Sequence, residues 1–111
     1  IVPFDSADQA TRARYRAYAA GRHERTLKAH GERRTLFLPD VVGTSDEILE
    51  QLAQDPILPL VSEFRMELPY DFPEEDYRQV MHDFVYAVAP ALGWRRAERG
   101  AEPAVVERVA G

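Results

Sequence analysis

The chain has 111 residues, no cysteine, no asparagine, and thirteen arginines against one lysine. That length suits a single domain, 1–111, able to hide roughly two-thirds of its unfolded surface, and 45% hydrophobic residues exclude wholesale disorder. The missing cysteines exclude a disulfide framework, a thiolate nucleophile, an iron–sulfur cluster and Cys-ligated zinc.

No apolar run approaches the roughly 20 residues needed to span a bilayer. No charged n-region followed by an apolar h-region opens the chain, so the expectation is a cytoplasmic protein with no membrane role. Charge is unevenly spread. Residues 1–34 carry eight basic and four acidic groups, and the rest carries six basic and fifteen acidic, for a net −5.

Taken in order, Ser6 with Gln9 matches a capping box. It predicts an Arg-rich helix over about 7–29, weakened by Gly21. The least polar stripe of that helix is Ala10, Ala13, Ala17 and Ala20, small groups that suit a peripheral or interfacial element. Thr35-Leu36-Phe37-Leu38, ahead of Pro39, predicts a short buried strand. Thr44 with Glu47 gives a second capping box, opening a helix to about Gln54 with Ile48, Leu49 and Leu52 on one face. Asp55-Pro56 stops it.

Leu60 to Leu68 alternates, with Phe64, Met66 and Leu68 on one side and Glu63, Arg65 and Glu67 on the other, which predicts a half-buried strand. Asp71 with Glu74 is a third capping box, and Pro73 suits a first turn. Tyr77, Val80, Met81, Phe84, Val85, Val88 and Leu92 then form an apolar helical stripe, with Gln79, His82 and Asp83 opposite and Pro90 ending or kinking the helix. Trp94–Arg99 and Ala104–Val109 read as two further strands, the second equally as a helix. The expected class is α+β in the order α-β-α-β-α-β-β, with a sheet packed against the long helix near residues 73–92.

Chemistry is sparsely signposted. The glycines form no phosphate loop and the three serines no nucleophile elbow. His23, His30 and His82 lack metal-ligand spacing, so neither a metal site nor a cofactor is expected. Glu63 and Glu67 lie about 13 Å apart along a strand with Arg65 between. They could form a pocket floor in which Arg65 holds an anion and a carboxylate moves a proton. A solvated sheet face is the plainer reading. His82, beside Asp83 and Tyr86, is a candidate proton carrier, or a solvated helix residue. Tyr70 and Phe72, between prolines, are binding anchors or plugs for the core.

Arg14, Tyr18, Arg22 and Arg25 share one side of the first helix. Nucleic acid could bind there, but the net negative charge favours an acidic protein surface, in the same chain or in a symmetric mate. The leading expectation is a small self-associating, dimeric binding or accessory protein, leaning away from catalysis. The alternative is a small acid–base enzyme or small-molecule binder, with a pocket lined by Phe64, Met66, Phe84 and Trp94. A nucleic-acid module comes third.

Overall fold

The computed structural model describes residues 1–95 as an α+β arrangement. Three α-helices, α1 (Gln9–Arg22), α2 (Ser45–Leu52) and α3 (Glu74–Asp83), surround two very small sheets. One sheet pairs β1 (Val2–Pro3) in parallel with β4 (Val42–Gly43). The other is an antiparallel pair of β2 (Ala29–His30) and β3 (Thr35–Leu36).

The β1–β4 pair is the centre of the fold and lies against α3. Val2 N–H donates to Val41 O at 2.8 Å and Phe4 N–H to Gly43 O at 3.0 Å. Parallel strands need a long crossover, and here α1 and the β2–β3 hairpin supply it. Val2 and Phe4 are buried with Tyr15 of α1 and Val80 of α3, and Ala7, Val42, Met66, Leu68 and Phe72 pack around them. Ile48, the apolar anchor of α2, is fully buried. The guanidinium groups of Arg12 and Arg16 each stand 4.8 Å from the Phe4 ring centre, so their stems and charges roof the core.

The cap read from the sequence forms at one helix of three. Thr44 is extended and its side chain accepts the Glu47 N–H, as the sequence predicts. At α1 the cap is Asp8, whose Oδ1 accepts the Thr11 N–H at 2.7 Å, while Ser6 donates instead to the buried Asp83 carboxylate. Before α3, Asp71 sits in the left-handed region at φ 59° and Pro73 occupies the cap position without a side-chain bond. The acids Glu74, Glu75 and Asp76 still complement the helix start.

Several expectations change. The body-facing side of α1 is Thr11, Tyr15, Tyr18 and Arg22, and the alanine stripe faces outward. The helix ends at Arg22, followed by a 3-10 turn at His23–Arg25. Thr35–Leu38 forms a strand at Thr35–Leu36, but it is exposed rather than buried. Residues 60–68 form no strand: Leu58–Leu60 is a 3-10 turn opened by Pro59, and the rest is irregular. A strand needs a neighbour to receive its backbone groups, and among the described residues no strand pairs with this segment. Its side chains keep part of their alternation, since Met66 and Leu68 pack on the core while Leu60 is 79% exposed.

The long helix changes hand-hold near its end. After α3, Phe84–Val88 form a π turn in which Ala89 N–H donates to Phe84 O at 2.8 Å. Pro90–Leu92 follow as a 3-10 turn. Gly93, at φ 94°, closes a Schellman arrangement: Trp94 N–H donates to Ala89 O and Gly93 N–H to Pro90 O. Trp94 and Arg95 carry no strand. The remainder of the expected strands 94–99 and 104–109 lies outside the described residues.

Replacing fully buried Phe4 by Ala should cost about 3–5 kcal/mol. Leu60→Ala should stay within about 0.5 kcal/mol. Urea denaturation of the two variants measures both, and a large loss for Leu60→Ala would restore the half-buried strand.

Candidate functional site

The irregular segment and the end of the long helix enclose an apolar groove of about 780 Å³. One wall is Leu58, Pro59, Val61 and Phe64; the other is Phe84, Val85, Ala89 and Leu92. Phe64 and Phe84 lie nearly parallel, one from each wall, with ring centres 6.0 Å apart and planes inclined by 20°. The Gly93 turn brings Trp94 to the lip, where it remains 48% exposed. Ser62, Glu63 and Arg95 supply polar groups to the lining. Short, proline-bounded loop and stiff helix thus present aromatic surface without a sheet behind it.

This is close to the pocket that the aromatic residues imply, with two corrections. Its wall is an irregular strap instead of a sheet, and Met66 turns away to the core. Of the polar candidates, Glu63 alone lines the groove. Glu63 Oε1 accepts from Arg65 Nε at 2.8 Å, and both side chains are exposed, so the pair is a surface contact of small energetic weight. Glu67 is absent from the lining.

The structure does bring His82, Asp83 and Tyr86 together. His82 Nδ1 lies 3.2 Å from Asp83 Oδ1, and its ring is 4.7 Å from that of Tyr86. Asp83 can thereby orient the imidazole. However, His82 is on open surface, away from the groove lining.

Tyr70 and Phe72 separate in role. Tyr70 is 72% exposed. Phe72 stacks on Tyr15 at 5.3 Å and meets the edge of Tyr18 at 5.0 Å, so it plugs the core. Tyr77 pins this loop, its hydroxyl donating to Pro69 O at 2.7 Å and accepting the Phe72 N–H at 3.1 Å.

The basic side of α1 is turned onto the chain itself. Arg14 grips buried Asp76 through both terminal guanidinium nitrogens, at 2.7 and 3.1 Å. Arg22 donates to Asp40 at 2.9 Å and to the Tyr18 hydroxyl at 2.7 Å. Arg25 stands 4.4 Å from the Phe37 ring centre. Among the described residues, no group of three or more His, Asp or Glu could hold a metal ion.

A buried polar network escaped the sequence pattern. Gln79 and Asp83 read as outward-facing, yet Asp83 is 4% exposed. Its Oδ2 accepts from Ser6 N–H at 2.9 Å, from Ser6 Oγ at 3.0 Å, and from Gln79 Nε2. Gln79 Nε2 also reaches Pro3 O at 3.0 Å, and its Oε1 accepts the Tyr15 hydroxyl at 2.6 Å. Burial pushes the Asp83 carboxyl up, but hydrogen bonds from Ser6, Gln79 and His82 outweigh it and hold the group below its ordinary range. Burial, reinforced by the charge of Asp76, pushes the Tyr15 hydroxyl up to about 12. The only hint in the sequence was the spacing of Asp76, Val80 and Asp83, which falls on one helix face.

Comparison with known protein families, curated proteins and solved structures gives no match.

The two shifts have opposite signs for pH. The depressed Asp83 contributes stability that is present above its unfolded value near 4 and lost as pH falls through its lower folded value. The raised Tyr15 contributes stability that is present below about 10 and lost as pH rises toward about 12. Thermal melts across pH should therefore show a shallower acid limb for Asp83→Asn and a shallower alkaline limb for Tyr15→Phe. Unchanged limbs would remove the network from the pH response. Asp8, lowered by its Thr11 cap bonds, keeps part of the acid limb in both variants.

Proposed function

We propose that the protein is a small binding protein whose groove receives a ring-bearing apolar ligand with a polar end. The observation that carries this reading is the open groove between residues 58–64 and the end of the long helix, where the stacked Phe64 and Phe84 and the lip residue Trp94 present aromatic surface. Its volume lies within the roughly 300–1,000 Å³ of small-molecule sites, and its walls are apolar with a few polar groups, as such sites require. Parallel aromatic side chains favour stacking with a further ring. Glu63 and Arg95 offer hydrogen bonds of either charge to the ligand's polar end.

Binding is favoured over acid–base catalysis by how the titratable candidates are distributed. Of these candidates Glu63 alone lines the groove, where it is paired with Arg65, and His82 is outside it, so no acid–base pair converges there. Catalysis would need an acid or base within hydrogen-bond reach of a bound reactant. The nucleic-acid reading loses support because Arg14 and Arg22 already hold carboxylates and Arg25 covers Phe37.

Trp94 is the sole tryptophan of the sequence and reports on the groove directly. Titration with anilinonaphthalenesulfonate, an aromatic anion, should give saturable binding with a concurrent change in Trp94 emission. Phe64→Ala, at a partly exposed position, should weaken binding about 3–10-fold by removing one stacking partner. The melting temperature should change little, and Tyr70→Ala should bind normally. A probe that leaves Trp94 emission unmoved, or binds Phe64→Ala equally well, overturns the reading.

A further inference from the structure

Among the described residues, the groove lining carries two ionisable side chains, Glu63 and Arg95. They are not equivalent. Glu63 is balanced within its own segment, its Oε1 accepting from Arg65 Nε at 2.8 Å. Arg95 has no carboxylate partner among the described residues. With Arg65 counted beside Glu63, the groove is left with a single positive charge, that of Arg95. Its place follows from the backbone. Gly93, at φ 94°, turns the chain back at the helix end, and Trp94 N–H donates to Ala89 O at 3.1 Å. Trp94 and Arg95 consequently line the groove instead of continuing along the helix axis.

We propose that the ligand of this groove is an aromatic monoanion, an aryl or arylalkyl carboxylate. Its ring lies against Phe64, Phe84 and Trp94, and its carboxylate is held by Arg95. The inference rests on the binding reading above and adds the sign of the ligand's charge. A guanidinium presents a planar fork of donors that matches the two oxygens of a carboxylate. The Ser62 hydroxyl, also in the lining, offers a further donor.

Other polar ends fit less well. A neutral end forgoes the charge-assisted hydrogen bond, which is about twice as strong as a neutral one. A cation would gain from the ring faces, but it would be repelled by Arg95 and would find Glu63 already balanced by Arg65. A dianion needs a second cation, and Arg65 lies outside the lining with its charge committed to Glu63. The whole chain is net −5, which opposes an anion at long range. Beyond about 8 Å at physiological ionic strength such repulsion is largely screened, so the nearest charge decides.

Isothermal titration calorimetry of the full chain with naphthylacetate, naphthylacetamide and naphthylethylamine tests this, because the three share a ring system and differ in charge. The acetate should bind about 3–10-fold tighter than the amide, and the amine weakest of all. Arg95→Gln, at an exposed position, should bring the acetate down to the affinity of the amide and leave the melting temperature unchanged. Arg95→Lys should keep part of the preference. Added salt should narrow the gap between acetate and amide while hardly moving the amide. Equal binding of acetate and amide, a preference for the amine, or an acetate preference that survives Arg95→Gln overturns this inference and leaves the groove reading standing. Failure of all three compounds to bind overturns the groove reading and this inference with it.

Discussion

One carboxylate ties the opening segment to the last helix. Asp83 takes both the backbone and hydroxyl protons of Ser6, across 77 positions of sequence, and shares Gln79 with Pro3 and Tyr15. β1 is two residues long and could not hold a place by its own ladder. Its position against β4 is defined by what flanks it: Phe4 in the core, Ser6 on Asp83, and Asp5 accepting the Ser45 N–H and hydroxyl at the start of α2. A buried charge is tolerated here because its acceptor capacity is met on both oxygens.

The lopsided charge of the chain acquires a structural meaning from the same region. Arginines in α1 do not form a free basic face. Arg14 and Arg22 reach Asp76 and Asp40, Arg12 donates to the Asp5 and Ala7 carbonyls, and Arg12 and Arg16 cover Phe4. Bidentate and stacked geometries of this kind suit guanidinium better than ammonium, which gives a physical use for arginine at these positions. The helix is held to an acidic body within one chain.

Legibility followed the range of the interaction. The Thr44 cap, the Ile48 face of α2 and the acidic first turn of α3 are decided by neighbours a few residues away, and all were readable. So were Phe64, Phe84 and Trp94 as walls of a pocket, since large rings rarely lie idle. What failed was decided at long range. Ser6 looked like a cap, but a carboxylate 77 residues on competes for its hydroxyl. Gln79 and Asp83 looked outward because their polarity carries no sign of a distant donor. Residues 60–68 alternate correctly for a strand, but alternation cannot supply a partner strand. β1 had too few residues to show any period.

The π turn at Phe84–Val88 inserts the equivalent of one residue into an otherwise α-helical path. Each residue of an α-helix advances about 100° around the axis. Everything after Val88 is therefore rotated by that angle from where an unbroken helix would carry it. Val80 keeps its place in the core on one side of the turn, while Ala89, Leu92 and Trp94 meet the groove on the other. A single-residue deletion within this turn would leave composition and core almost intact, yet swing the tryptophan lip off the groove. The length of that one turn, as well as the residues in it, sets whether the two halves of the helix serve the interior and the surface at the same time.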